Sequence, residues 1–65
     1  MTANDQRRTL LTAVEYGGSF MRAIADAGLH ADPDNRQRIF IAFPELATCF
    51  GPETMLYQRL HACQR

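Results

Sequence analysis

The sequence predicts an all-α fold, a small bundle of three to four helices forming a single domain over residues 1–65. Three observations carry that reading. Apolar residues recur at steps of three and four through the first half of the chain. Prolines adjoin acidic residues where helices should begin. Glycines stand where helices should end. At 46% hydrophobic residues the chain has the composition of a folded domain rather than a disordered one.

The first element begins at about Asp5. Thr2, Asn4 and Asp5 are each able to cap a helix by accepting a hydrogen bond from a free backbone N–H. Leu10, Val14, Gly17, Met21, Ile24 and Gly28 then form a continuous seam at alternating spacings of four and three. Gly17-Gly18-Ser19 interrupts its middle. Two adjacent glycines cost roughly 2 kcal/mol in a helix interior. Either the helix breaks there with Ser19 as a new cap, or it continues as one long helix, bent at the glycines. The unbroken register favours the long bent helix, ending near Gly28.

The second element has the clearest start. Asp32 is a capping carboxylate, Pro33 sits at the first helical position, and Asp34 places negative charge near the positive end of the helix dipole. The helix should run from Pro33 to about Ala42. Residues 38–43 also read as a strand, but this chain offers nothing for a lone strand to pair with. Pro44 ends the helix and opens a short one to Phe50, with Gly51 as a left-handed terminator. Pro52-Glu53 repeats the opening signature, so the last helix should run from Pro52 to about Ala62. Met55, Leu56, Leu60 and Cys63 lie along one side of it, with Tyr57 near the edge.

Seven arginines and no lysine balance seven acidic residues, so no net field draws nucleic acid or anionic lipid. No apolar run approaches the roughly 20 residues of a membrane helix. The polar stretch from Met1 to Arg8 lacks the apolar core of a signal peptide. These features predict a cytoplasmic protein in whatever cell makes it, with no membrane association and with Cys49 and Cys63 as free thiols.

Chemistry-bearing residues are few. His61 and Cys63 point to different sides of a helix, and His30, His61, Cys49 and Cys63 have no standard zinc spacing. Gly17-Gly18-Ser19 lacks the ending of a phosphate-binding loop. The reading is therefore a non-enzymatic protein with no cofactor and no metal. Phe20, Phe40, Phe43, Phe50 and Tyr57 are the large anchors and should mostly be core. Ile39, Phe40, Ile41 and Phe43 are apolar on more than one side of their helix, which points to an interface with a protein partner or a second copy in a homodimer. Phe40, Tyr57 and Leu60 are the candidate contact residues. The alternative is a helix-turn-helix module. In it the turn Leu29-His30-Ala31-Asp32 joins two helices, and Arg36 and Arg38 face DNA. Asp32, Asp34 and the neutral net charge argue against it.

The stretch Ala31-Asp32-Pro33-Asp34-Asn35-Arg36-Gln37-Arg38-Ile39, followed by Ala42-Phe43-Pro44-Glu45-Leu46, resembles a phrase in short uncharacterised proteins of bacteriophages and prophages. Ile41 and Thr48-Cys49 depart from it, standing where more polar residues would be expected, and the segment from Pro52 is an addition to it. The resemblance implies a phage-encoded accessory protein that binds and modulates a host or phage protein, in the cytoplasm of a bacterial host cell.

Overall fold

The computed structural model describes residues 1–61, which form five helices and no strand. Four of the five have seven residues or more, and the fifth has six. The all-α reading holds, with one element more than the three to four expected.

Helix α1 (Ala3–Tyr16) opens on a capping box. The Thr2 hydroxyl accepts from the Asp5 N–H at 3.1 Å, and the Asp5 carboxylate accepts from the Thr2 N–H at 3.2 Å. Of the three possible caps, Thr2 is the one used. Its inward face carries Thr9, Leu10, Thr12 and Ala13, all fully buried. Helix α2 (Ser19–His30) folds back on α1, so the long bent helix is not formed. Gly17 and Gly18 are both extended (ψ 160° and 178°). The Gly17 N–H still reaches the Ala13 carbonyl at 2.8 Å, completing α1 before the chain turns. A Cβ at Gly17 would lie 2.5 Å from that carbonyl oxygen and 3.1 Å from the Met21 Cβ, so the turn has room only for glycine. Gly18 is the cap residue of α2, and Ser19 is the first residue inside it, without a capping side-chain bond.

The seam was continuous in sequence because both helices bury the same stripe, each against the other. Leu10 rests on Gly28, where an added Cβ would meet both Leu10 methyl groups at 3.0 Å. Ala13 and Ala25, both fully buried, complete the contact.

Helix α3 (Pro33–Ala42) has the expected bounds. Asp32 accepts from the Asn35 N–H at 2.8 Å, and Pro33 opens the first turn. Residues 38–42 are helical, so the strand alternative falls. None of its side chains is fully buried. Ile39 and Phe40 lean on the core, and Ile41 is 70% exposed. The helix stops at Phe43, ahead of Pro44.

Helix α4 (Glu45–Phe50) sets Leu46 and Phe50 into the core at i, i+4. Gly51 ends it in an extended conformation (φ −75°, ψ 178°), not a left-handed one. Helix α5 (Met55–His61) starts three residues later than Pro52 suggested. Thr54 supplies the start. Its hydroxyl donates to the Gly51 carbonyl at 2.7 Å and accepts from the Tyr57 N–H at 3.3 Å. The inward stripe of α5 is Tyr57 and His61, flanked by half-buried Leu56 and Leu60, while Met55 is 79% exposed. The expected helix end at Ala62, and Cys63, lie outside the described residues.

Helix α1 is the centre of the assembly. α2, α4 and α5 pack on it, and α3 packs on α2. No helix in the described residues is long and apolar enough to cross a membrane.

Candidate functional site

Three places gather side chains that could act on another molecule. One is the seat of α5 on α1. The second is the start of α3. The third is the outer face of α2 with the end of α3.

At the seat of α5, the His61 Nε2 lies 3.0 Å from the Thr12 hydroxyl and 3.0 Å from the Arg8 carbonyl oxygen. The Thr12 hydroxyl donates its single proton to that same carbonyl at 2.8 Å. Nε2 therefore carries a proton and donates into the pair of oxygens. Tyr57 stacks beside His61, with ring centroids 4.7 Å apart, and its hydroxyl donates to Asp5 at 3.4 Å. The Asp5 carboxyl is held below its ordinary range, chiefly by the Thr2 backbone N–H and then by the Thr2 side chain, with Tyr57 adding to the effect.

A hydroxyl beside an imidazole is the pairing a nucleophilic site uses. Here the hydroxyl is already spent on the backbone of its own helix, and Thr12 has no exposed surface through which a substrate could reach it. His61 is itself only 6% exposed. The arrangement fastens α5 to α1, and the bonds are those a buried polar pair needs to be tolerated in a core.

At the start of α3, the residues of the DNA-binding alternative are separated. The Arg36 Nε donates to the Gln6 side-chain carbonyl at 3.1 Å, and the Gln6 amide donates to Gln37 at 3.2 Å. Half-buried Arg36 thus ties α3 to α1. Arg38 is exposed, with a long 3.5 Å bond to Asn35. Only Ala31 and Asp32 separate α2 from α3, shorter than the expected four-residue turn and than the three to four residues of a helix-turn-helix.

The metal candidates are scattered. His30 is exposed, 3.7 Å from Asp26 on its own helix, and Cys49 is an exposed free thiol. Among the described residues no three His, Cys, Asp or Glu side chains gather in one place.

On the outside of α2 and α3 lies the third place. Phe20 packs edge-on against Phe43, centroids 5.7 Å apart, and yet is 61% exposed. Ile41 stands two residues before Phe43 on the same helix end. Between α1 and α2 an open groove of about 370 Å³ is lined by Val14, Ser19, Arg22, Ala23 and Asp26. Of the three contact residues expected from sequence, Tyr57 is buried, and Phe40 and Leu60 are half-buried. The large apolar side chains that do reach solvent are Met1, Tyr16, Phe20, Ile41 and Met55. Sequence reasoning placed Phe20 in the core because aromatics are usually there. The signal pointing the other way was its position, one helical step outside the Met21–Ile24–Gly28 stripe.

No family model matches the chain, and searches among curated proteins and among solved structures found nothing similar to it.

Proposed function

We propose that this protein is a non-enzymatic binding protein that works by covering a surface on a protein partner. The observation that carries the reading is Phe20, 61% exposed although it packs edge-on against half-buried Phe43, together with a 70% exposed Ile41 near the same end of α3. Exposed bulky side chains gathered at one end of two helices are what an interface core is made of, whereas single scattered ones mean little. Its effect on the partner is steric or conformational. The resemblance to short phage and prophage proteins suggests that the partner is a bacterial host or phage protein.

The test is a photo-crosslinking side chain placed at position 41 in one sample and at exposed Gln58 in another, each incubated with bacterial lysate. A discrete adduct from position 41 alone, reduced about tenfold when Phe20→Ala is added, supports the reading. Equal labelling from both positions, or adducts indifferent to Phe20, sinks it.

A further inference from the structure

The outer face of α2 has a charge pattern that fits a second copy of itself. At roughly 3.6 residues per turn, Phe20, Ala23 and Ala27 form a line on the side opposite buried Ala25 and Gly28. All three are exposed. Arg22 and Asp26 run along one edge of that line, one turn apart and opposite in sign. They do not satisfy each other. The Arg22 Nε donates to the Val14 carbonyl at 3.1 Å, leaving the two Nη groups as further donors. Among the described residues, Asp26 has only an exposed 3.7 Å contact with His30.

We propose that the protein forms a weak homodimer by antiparallel pairing of α2 with the α2 of a second copy. The reading rests on the outward apolar side chains being contact surface, and it names one occupant. When two identical helices pair antiparallel about a two-fold axis, each edge of one meets the same edge of the other. Arg22 of each copy then faces Asp26 of its mate, twice per dimer. On the opposite edge Phe20 meets the mate's Ala27, and the small Ala23 near the axis lets the backbones approach. A parallel pairing would instead lay the charged edge against Phe20 and Ala27. Charge pairs at the rim select the orientation, and the buried aromatic supplies the affinity. A single twelve-residue helix per side gives an interface at the small end of specific ones, so dissociation should lie on the order of 10–100 µM.

The experiment is sedimentation equilibrium on the full chain across that concentration range, on wild type, R22E, D26R and an equimolar mixture of the two variants. The R22E chain presents two carboxylates along the edge and the D26R chain two guanidiniums. Each variant alone should dissociate about tenfold more readily than wild type, and the mixture should recover dimer as a heterodimer. Recovery on mixing shows at once that both variants are folded. The double variant R22E/D26R, with both signs exchanged, should dimerise like wild type. A wild type that stays monomeric overturns the proposal while leaving the position-41 crosslink to decide partner binding separately. A dimer indifferent to both charge reversals overturns it too, because the contact then lies elsewhere.

Discussion

Helices α2 and α5 both pack on α1, but by opposite means. α2 is held by shape. Leu10 rests on Gly28, Ala13 meets Ala25, and the two helices come close because the residues between them are small. α5 is held by hydrogen bonds. Tyr57 reaches Asp5, and His61 reaches Thr12 and the Arg8 carbonyl, in a seat whose buried side chains include polar ones. An apolar contact loses energy in proportion to the volume removed. A buried polar contact loses it in proportion to the donors and acceptors left without partners. The two attachments should therefore fail differently.

The largest effect belongs to the apolar side. Leu10→Ala should cost about 3 kcal/mol, within the 2–5 kcal/mol typical of buried leucines, read as a lower urea midpoint at unchanged slope. The same contact predicts a coupling. Gly28→Ala in the wild type pushes a methyl group against the Leu10 side chain, but in the Leu10→Ala background it enters the space just vacated. There it should recover up to about 1 kcal/mol, since alanine is also the better helix former. Strict additivity of the two changes would mean that the helices do not meet at this point.

On the polar side, His61→Leu removes a donor while keeping bulk. The Arg8 carbonyl retains its bond from Thr12, so the loss should be smaller than at Leu10, about 1–2 kcal/mol. Thr12→Val together with His61→Leu replaces both partners by apolar groups, and the pair should cost less than the sum of the single changes. A double-mutant cycle by urea unfolding measures that difference, and a coupling near zero would show that the two side chains do not bond.

The same contrast explains what the sequence made legible. The α1–α2 contact is written in apolar spacing, so its residues were identified even though the chain path was not. A stripe that continues in register looks alike whether the helix runs on or folds back on itself. Only the close approach at Gly17 decides between them, and that is a three-dimensional fact. Asp32-Pro33 set the start of α3 because cap and proline act within one turn. The seat of α5 depends on Thr12 and His61, 49 positions apart, and no local pattern announces such a pair. Pro52 misled for a related reason. Its fixed φ suits a turn as well as a helix start, and the Thr54 hydroxyl settled where α5 begins. Among the candidate contact residues, Tyr57 was drawn outward by assuming that Met55 faced inward, which placed the inner stripe of α5 on the wrong side.

Caps give the next smaller effect and bear on both attachments. Asp32→Ala should cost about 1 kcal/mol, because the Asn35 N–H loses its acceptor while α3 keeps its packing on α2. Thermal melts followed by circular dichroism measure it, and a loss equal to that at Leu10 would show that α3 depends on its cap for more than its first turn.

The smallest effect separates the two sides by pH. The Asp5 carboxyl is held below its ordinary range when folded, first by the Thr2 N–H, then by the Thr2 side chain and Tyr57. A carboxyl lowered on folding adds stability that is complete above its unfolded value, about 3.9. That stability disappears as pH falls through the lower folded value, because the unfolded chain takes up the proton first. Urea midpoints taken from about pH 6 down to about pH 2 should fall more steeply for wild type than for Asp5→Asn. The comparison is of slopes, since the substitution also weakens the cap at every pH. Because Thr2 supplies the larger part of that lowering and Tyr57 a smaller part, the acid-sensitive parts should be the α1 cap first and, through Tyr57, the α5 seat. Proton exchange of the α5 amides should therefore accelerate on acidification before that of α2, after correction for the intrinsic pH dependence of exchange. Equal acceleration in both helices would mean that the cap alone senses the proton, and that Tyr57 contributes nothing to holding α5.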